Sequence, residues 1–289
     1  MIHLKKGNAE AIINPLGAEM IAYKDASGEE RLHDADPAVW AGVGPILFPI
    51  LCTPKDGQVL INSQSYPMPK HGFARNSEFE ITNQTEDAVE LMLCENEETL
   101  KSYPFIFEFT VRHSLTEKGF KTEMIVKNSS DDPMPFLLGG HPAFRCDDLE
   151  SCSLYFEKPE TGEQVLVNKE NALLYKKAVF EPLAGKMVWP VDRTYLASVD
   201  TLMLPNLNSR SVKLANEKTG KGIKFSFPDF PVLAIWTKPN VKGKYLCLEP
   251  WQGLPSWEDE ICELKNRPFA LTLEPGKTYH AAYQMDCLV

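Results

Sequence analysis

The sequence predicts an all-β fold: one large antiparallel β-sandwich with few, short helices. Three observations predict it. Apolar and polar residues alternate with period two over long stretches, the mark of strands with one buried face. Short turn signals containing glycine separate matched pairs of these stretches. The 22 prolines and 17 glycines fall mostly between the alternating runs, where they punctuate strands. No repeat, low-complexity segment or linker interrupts the 289 residues, so a single domain over 1–289 is expected.

Taken in order, the first forty residues read as strands with a turn at Asn14-Pro15-Leu16-Gly17. Glu97 to Tyr103 reads as a turn or two of helix, ended by Pro104. Phe105, Phe107, Phe109, Val111 and Leu115 share one parity. After Thr116-Glu117-Lys118-Gly119 the series resumes as Phe120, Thr122, Met124 and Val126, which predicts a long hairpin. Val212 and Leu214, then Ile223, Phe225 and Phe227, flank Glu217-Lys218-Thr219-Gly220 in the same manner. Phe269, Leu271 and Leu273, then Tyr279, Ala281, Tyr283 and Met285, flank Pro275-Gly276. Ser256 to Leu264, with an N-cap residue and early acids, reads as a second short helix.

Charge narrows the function. A net charge of −10 makes nucleic acid and anionic membranes poor partners. No apolar run is long enough to span a bilayer, and Met1-Ile2-His3-Leu4-Lys5-Lys6 leads into polar sequence without a signal-peptide core. The 7 cysteines are odd in number and scattered, with no Cys-x-x-Cys, which fits reduced thiols in a cytoplasm better than a disulfide framework or a zinc site. No phosphate-binding glycine motif occurs.

Three stretches carry residues suited to proton transfer. Leu137-Leu138-Gly139-Gly140-His141-Pro142-Ala143-Phe144 displays His141 from a stiff loop, because Pro142 keeps it out of helical geometry. Lys70-His71-Gly72-Phe73-Ala74-Arg75 places His71 at a loop end or strand start after Pro67 and Pro69. In Lys244-Tyr245-Leu246-Cys247-Leu248-Glu249-Pro250-Trp251-Gln252-Gly253, a strand over 244–249 puts Glu249 on the face of Tyr245 and Cys247. A carboxylate there is partly desolvated, and therefore more basic. Trp251 beside it suits the apolar face of a pyranose ring, or ordinary core packing. Singly, each residue is as well explained by loop hydrogen bonding, ion pairing or solvation. Together, two histidines and a glutamate on rigid loops point to acid–base chemistry, with no metal-ligand spacing and no nucleophile elbow.

These stretches together resemble the aldose 1-epimerase (galactose mutarotase) family, and within it the bacterial LacX-like branch. Asn14-Pro15-Leu16-Gly17-Ala18-Glu19 and Pro45-Ile46-Leu47-Phe48-Pro49 are similar to its opening segments, and the two histidine stretches and Glu249-Pro250-Trp251-Gln252-Gly253 to its site motifs. The resemblance covers nearly the whole chain. It implies a large antiparallel β-supersandwich that interconverts sugar anomers without a cofactor. It implies Glu249 as general base, His141 as general acid and His71 as a helper at the ring oxygen. Among sugar-binding residues it points to Asp192, with Asp200 second, and to Arg75 and Trp251. The expected partner is a small sugar, an aldohexose or a hexose phosphate. Two alternatives stay open: a hexose-6-phosphate 1-epimerase, and a non-catalytic carbohydrate-binding or regulatory sandwich.

Overall fold

The computed structural model describes residues 1–259 and 263–288. Its strands pair antiparallel and build two large sheets. Among the described residues, one sheet runs Val188–Pro190, Cys152–Phe156, Ser211–Asn216, Gly222–Ser226, Thr278–Leu288, Gly119–Asn128, Phe107–Leu115, Ala88–Cys94, Glu80–Gln84. The other runs Leu174–Val179, Glu163–Val167, Leu202–Pro205, Val232–Trp236, Tyr245–Gln252, Leu138–Gly140, Ile46–Leu47, with Ala143–Arg145 also paired to Tyr245–Gln252. A three-stranded sheet of Ile2–Lys6, Ala9–Asn14 and Glu19–Lys24 stands beside them.

Period-two alternation decides which face is buried. In Phe107–Leu115 the side chains of Phe107, Phe109, Val111, His113 and Leu115 are buried while those between them are more exposed. Phe144 of the second sheet meets Phe225 of the first at 5.2 Å, so the two inner faces interdigitate in one continuous apolar core. The Tyr245–Gln252 strand is buried at every position. That is the signature of a strand covered on both faces, and it carries Glu249 into the interior.

The first two predicted hairpins form, with Thr122 opposite His113 and Lys213 opposite Lys224. The third does not. Leu271–Leu273 pairs with Met134–Phe136, while Thr278–Leu288 lies between Gly119–Asn128 and Gly222–Ser226. Alternation marks a segment as strand but does not name its partner; burial of Tyr279, Ala281, Tyr283 and Met285 against the core does. The helix Glu97–Ser102 forms, closed at its start by a capping box between Asn96 and Thr99. Strand structure in the first forty residues stops at Lys24, and most of 25–44 is loop. A helix over Arg193–Val199, which the sequence did not announce, starts at Asp192. Of the helix expected over Ser256 to Leu264, residues 260–262 lie outside the described residues, and Leu264–Asn266 makes a single 3-10 turn. No described helix is long and apolar enough to cross a membrane.

Candidate active site

The Tyr245–Gln252 strand is the spine of the site. Leu138–Gly140 pairs with it at Trp251 and Gln252, and Ala143–Arg145 pairs with it at Tyr245 to Cys247. His141 and Pro142 bridge these two short strands and so stand opposite Glu249. The His141 backbone N–H donates to the Pro45 carbonyl (3.0 Å), and the Leu248 N–H donates to the Pro142 carbonyl (3.2 Å). Gly139 is needed because a Cβ there would stand 2.7 Å from Cδ1 of Trp251. Trp251 therefore packs directly against bare backbone at this position.

His71 is placed by strain. Its φ is +65°, and that of Cys52 is +58°, both in the left-handed region. The two are locked together: the His71 N–H donates to the Cys52 carbonyl (2.9 Å), and the Cys52 N–H donates to His71 Nδ1 (3.0 Å). An Nδ1 that accepts leaves the ring hydrogen on Nε2. Gly72 follows at φ +73°, where a Cβ would stand 2.1 Å from the Phe48 carbonyl oxygen. Phe48 itself is anchored among Phe73, Tyr103, Phe107, Phe109 and Phe136, with ring centres 4.6–6.0 Å apart. Such pairs contribute about 0.5–1.5 kcal/mol each beyond their burial, so packing holds the segment that fixes the imidazole.

The three groups converge. His141 Nε2 lies 3.2 Å from Glu249 Oε2, with the carboxylate 1% and the histidine 9% exposed. The His71 and His141 rings meet edge-on at 5.9 Å. Burial drives the charges out of this site. It raises Glu249 well above the usual carboxylate range, against the opposing pull of the Lys70 charge, the Trp251 indole N–H and Arg75. It lowers His141 to about 3 and His71 well below its ordinary value, with neighbouring Lys70 and Arg75 charges adding to both shifts. His141 Nδ1 and Glu249 Oε2 are buried without a hydrogen-bond partner in the protein. The Trp251 indole lies near the carboxylate without meeting hydrogen-bond geometry.

All of this faces a cavity of about 410 Å³, a size ordinary for a small-molecule site. Trp40 and Trp236 wall it beside His141, with ring centres 5.0 and 5.6 Å from the imidazole. A larger cleft of about 580 Å³ opens elsewhere, around Cys146 and Cys152. Its charges neutralise one another as Lys218–Asp148, Arg145–Asp147, Arg31–Glu29 and Lys221–Glu29 pairs. The smaller cavity is the one with unfilled bonding capacity.

The sequence pattern of the aldose 1-epimerase family matches residues 1–286. The chain belongs to the aldose 1-epimerase family. It is 32% identical over 309 aligned residues to the plasmid and chromosomal LacX proteins of Lactococcus lactis subsp. lactis, covering 99% of each chain. A candidate glucose-6-phosphate 1-epimerase of Cenchrus ciliaris is 26% identical, over 97% of this chain and 82% of that one. The fold is galactose mutarotase-like. A galactose mutarotase-like protein from Lactobacillus casei superposes with a TM-score of 0.93 at 27% identity over the full length of both chains. A galactose mutarotase related enzyme from Lactobacillus acidophilus superposes at 0.92 with 28% identity, over 100% of this chain and 97% of that one.

In this member of the epimerase family, His71, Arg75, His141, Glu249 and Trp251 line one cavity. Asp192 is not with them. Its carboxylate accepts from the Thr194 and Tyr195 N–H groups as the N-cap of Arg193–Val199. Asp200, ranked second from sequence, lines the cavity instead. The reason is local: an aspartate before a helix satisfies orphan N–H groups, and that helix was not foreseen. Trp40, Trp236, Cys52 and Lys238 also line the cavity and were not singled out. Trp236 ends an apolar strand, a signal that was available. Trp40 sits in a loop with nothing but its aromatic character to mark it. Its carbonyl is bound by the buried His33 Nε2 at 2.8 Å.

Proposed function

We propose that this chain is a cofactor-independent aldose 1-epimerase, interconverting the α and β anomers of an aldohexose. The observation that carries the reading is the buried His141–Glu249 contact: both residues line a sugar-sized cavity, and each keeps a buried polar atom without a hydrogen-bond partner. Between the depressed His141 and the raised Glu249, the pair holds one proton over a wide pH range. One proton is what the reaction needs. Passed across the contact to His141, it leaves Glu249 ionised as base and His141 charged as acid.

Glu249 then takes the proton from the anomeric hydroxyl. The electrons of that O–H bond form the C1=O double bond, and those of the C1–O5 bond leave with the ring oxygen. His141 delivers its proton to that oxygen. Rotation about C1–C2 presents the other face of the aldehyde, and closure runs with the two roles exchanged. Lys70 and Arg75 favour the ionised base, and the Trp40 face favours the imidazolium. His71 stays neutral and offers its Nε2–H to a sugar oxygen. Asp200, which lines the cavity, accepts from sugar hydroxyls in this reading, and the tryptophan walls cover the apolar ring face. Scattered free cysteines favour a cytoplasmic setting.

A second reading, a hexose 6-phosphate as substrate, is favoured by the rim. Lys70, Arg75 and Lys238 line the cavity and form no ion pair with a described acid, in a chain of net charge −10. Anomer exchange followed by polarimetry or saturation-transfer NMR tests both readings, using fresh α-D-glucose, α-D-galactose and glucose 6-phosphate with Glu249→Gln as blank. Acceleration of one sugar, abolished in the variant, is expected; no acceleration by folded protein defeats the reading. Arg75→Ala raises KM for the phosphorylated sugar at least tenfold more than for the free sugar if the second reading holds (roughly 1.4 kcal/mol of differential binding).

A further inference from the structure

The acid–base pair uses two members of a triple and leaves the third idle. Cys247 precedes Glu249 by two residues on the same face of the Tyr245–Gln252 strand. It pairs in register with Ala143, two residues after His141. One donor atom each from His141, Cys247 and Glu249 lies within 4.8 Å of the other two, and all three residues are buried. The thiol packs with Ala143 and Tyr245 against Val39, Trp40 and Trp236, and the two tryptophans also line the cavity. His141 Nδ1 and Glu249 Oε2 lack protein partners.

Imidazole nitrogen, thiolate sulfur and carboxylate oxygen form a typical zinc donor set, and three protein ligands with a fourth position free is the form of an exchangeable zinc site. Donors held 2.0–2.3 Å from one ion stand roughly 3.3–3.8 Å apart. Side-chain rotation of about an ångström closes the triple to that spacing. His141 and Glu249 both line the cavity, from which a fourth ligand would come.

We propose that the pocket is also a binding site for a thiophilic divalent cation of the zinc class, chelated by His141, Cys247 and Glu249, which shuts off the acid–base pair in competition with sugar. The inhibition rests on the reading of that pair given above; the binding does not. On binding, Cys247 loses its thiol proton and the pair loses its shared proton, so two protons leave and no electron moves. The cation occupies the nitrogen and oxygen that would otherwise pass a proton to the sugar.

Other thiols require controls. Cys52 lines the same cavity, and Cys146 Sγ lies 2.8 Å from Cys152 Sγ in the other cleft. The test uses the full chain carrying Cys146→Ser and Cys152→Ser, titrated with cobalt(II), whose thiolate complexes give a near-ultraviolet charge-transfer band. The expected result is a band saturating at one equivalent, displaced by zinc and suppressed by a saturating sugar. The band persists with Cys52→Ser added and is lost with either Cys247→Ser or Cys247→Ala, the second guarding against misfolding of the first. Zinc at the saturating level slows anomer exchange at least tenfold, and less than twofold in the Cys247 variants. A band that survives loss of Cys247, or disappears with Cys52→Ser, overturns the site. Zinc that leaves exchange untouched while displacing cobalt overturns the inhibition. Absence of exchange with any sugar removes the proposed function, and the cobalt arms still decide the metal site.

Discussion

His113 and His141 are both buried in this protein, and so are Glu160 and Glu249, yet the two pairs are built in opposite ways. His113 Nε2 donates to the Ala18 carbonyl (2.8 Å) and Nδ1 accepts from the Thr122 hydroxyl (3.0 Å), so both nitrogens are satisfied. Glu160 accepts from the Asn208 and Ser209 N–H groups at 2.7 and 2.9 Å. His141 and Glu249 face each other across 3.2 Å with bonding capacity left over and a cavity in front. Relative exposures of 1–2% for His113, Glu160 and Glu249 do not separate the closed pair from the open one. Burial identifies a costly polar group; only unfilled hydrogen bonding toward a cavity identifies one available for chemistry.

The sharpest way to break this contrast is to swap the effects. Glu249→Gln lowers kcat for anomer exchange about 10²–10⁴-fold and leaves the thermal midpoint near wild type. Glu160→Gln keeps the rate and lowers stability by about 1–3 kcal/mol. Polarimetry and thermal melts on both variants decide; a rate loss in Glu160→Gln would undo the distinction.

Acid comes next. Burial lowers His113 to about 4 from an ordinary 6.5. Between those values the unfolded chain binds a proton that the native one refuses, so stability falls as pH drops. The loss reaches about 3 kcal/mol once pH passes below 4. His113→Gln should flatten that part of the stability profile. His141, depressed to about 3, adds to the same acid loss of stability, and under the proposed mechanism it also shapes the rate. Exchange requires the one-proton pair, so the rate declines on the acid side only as pH approaches the depressed His141 value, and on the alkaline side as Glu249 finally ionises. An acid limb with its midpoint near 6.5 would contradict the buried pair.

The smallest effects separate the two aspartates. Asp200→Asn raises KM severalfold with a normal melt. Asp192→Ala leaves KM alone and costs about 1 kcal/mol through the lost helix cap.

What was legible in the sequence follows the same division. That His71, His141 and Glu249 belong together could be read because rigid glycine and proline neighbours marked their stretches, and they do line one cavity; the strand parity of Phe107 to Leu115 gave its buried face correctly. Asp192 misled because a capping aspartate and a sugar-binding one look alike until the helix Arg193–Val199 is known. Trp40 was invisible because the loop that folds it against His141 leaves no periodic trace. Cys247 and His141 escaped as a donor set because ligand spacing is sought along the chain, whereas these meet across strands.

The strand Thr278–Leu288 stands in the middle of its sheet, between Gly119–Asn128 and Gly222–Ser226. During synthesis both flanks are therefore made before the piece that joins them. At roughly 5–20 residues per second, the wait of about 150 residues between Asn128 and Thr278 lasts roughly 8–30 s. Through that interval the half-sheet ending in Gly119–Asn128 presents a bare strand edge of the kind that recruits other chains, and the half ending in Gly222–Ser226 does so over about the last 50 residues. Crowding on the ribosome, and the supply of chaperones there, therefore bear on the yield of this protein as well as the strength of its finished core.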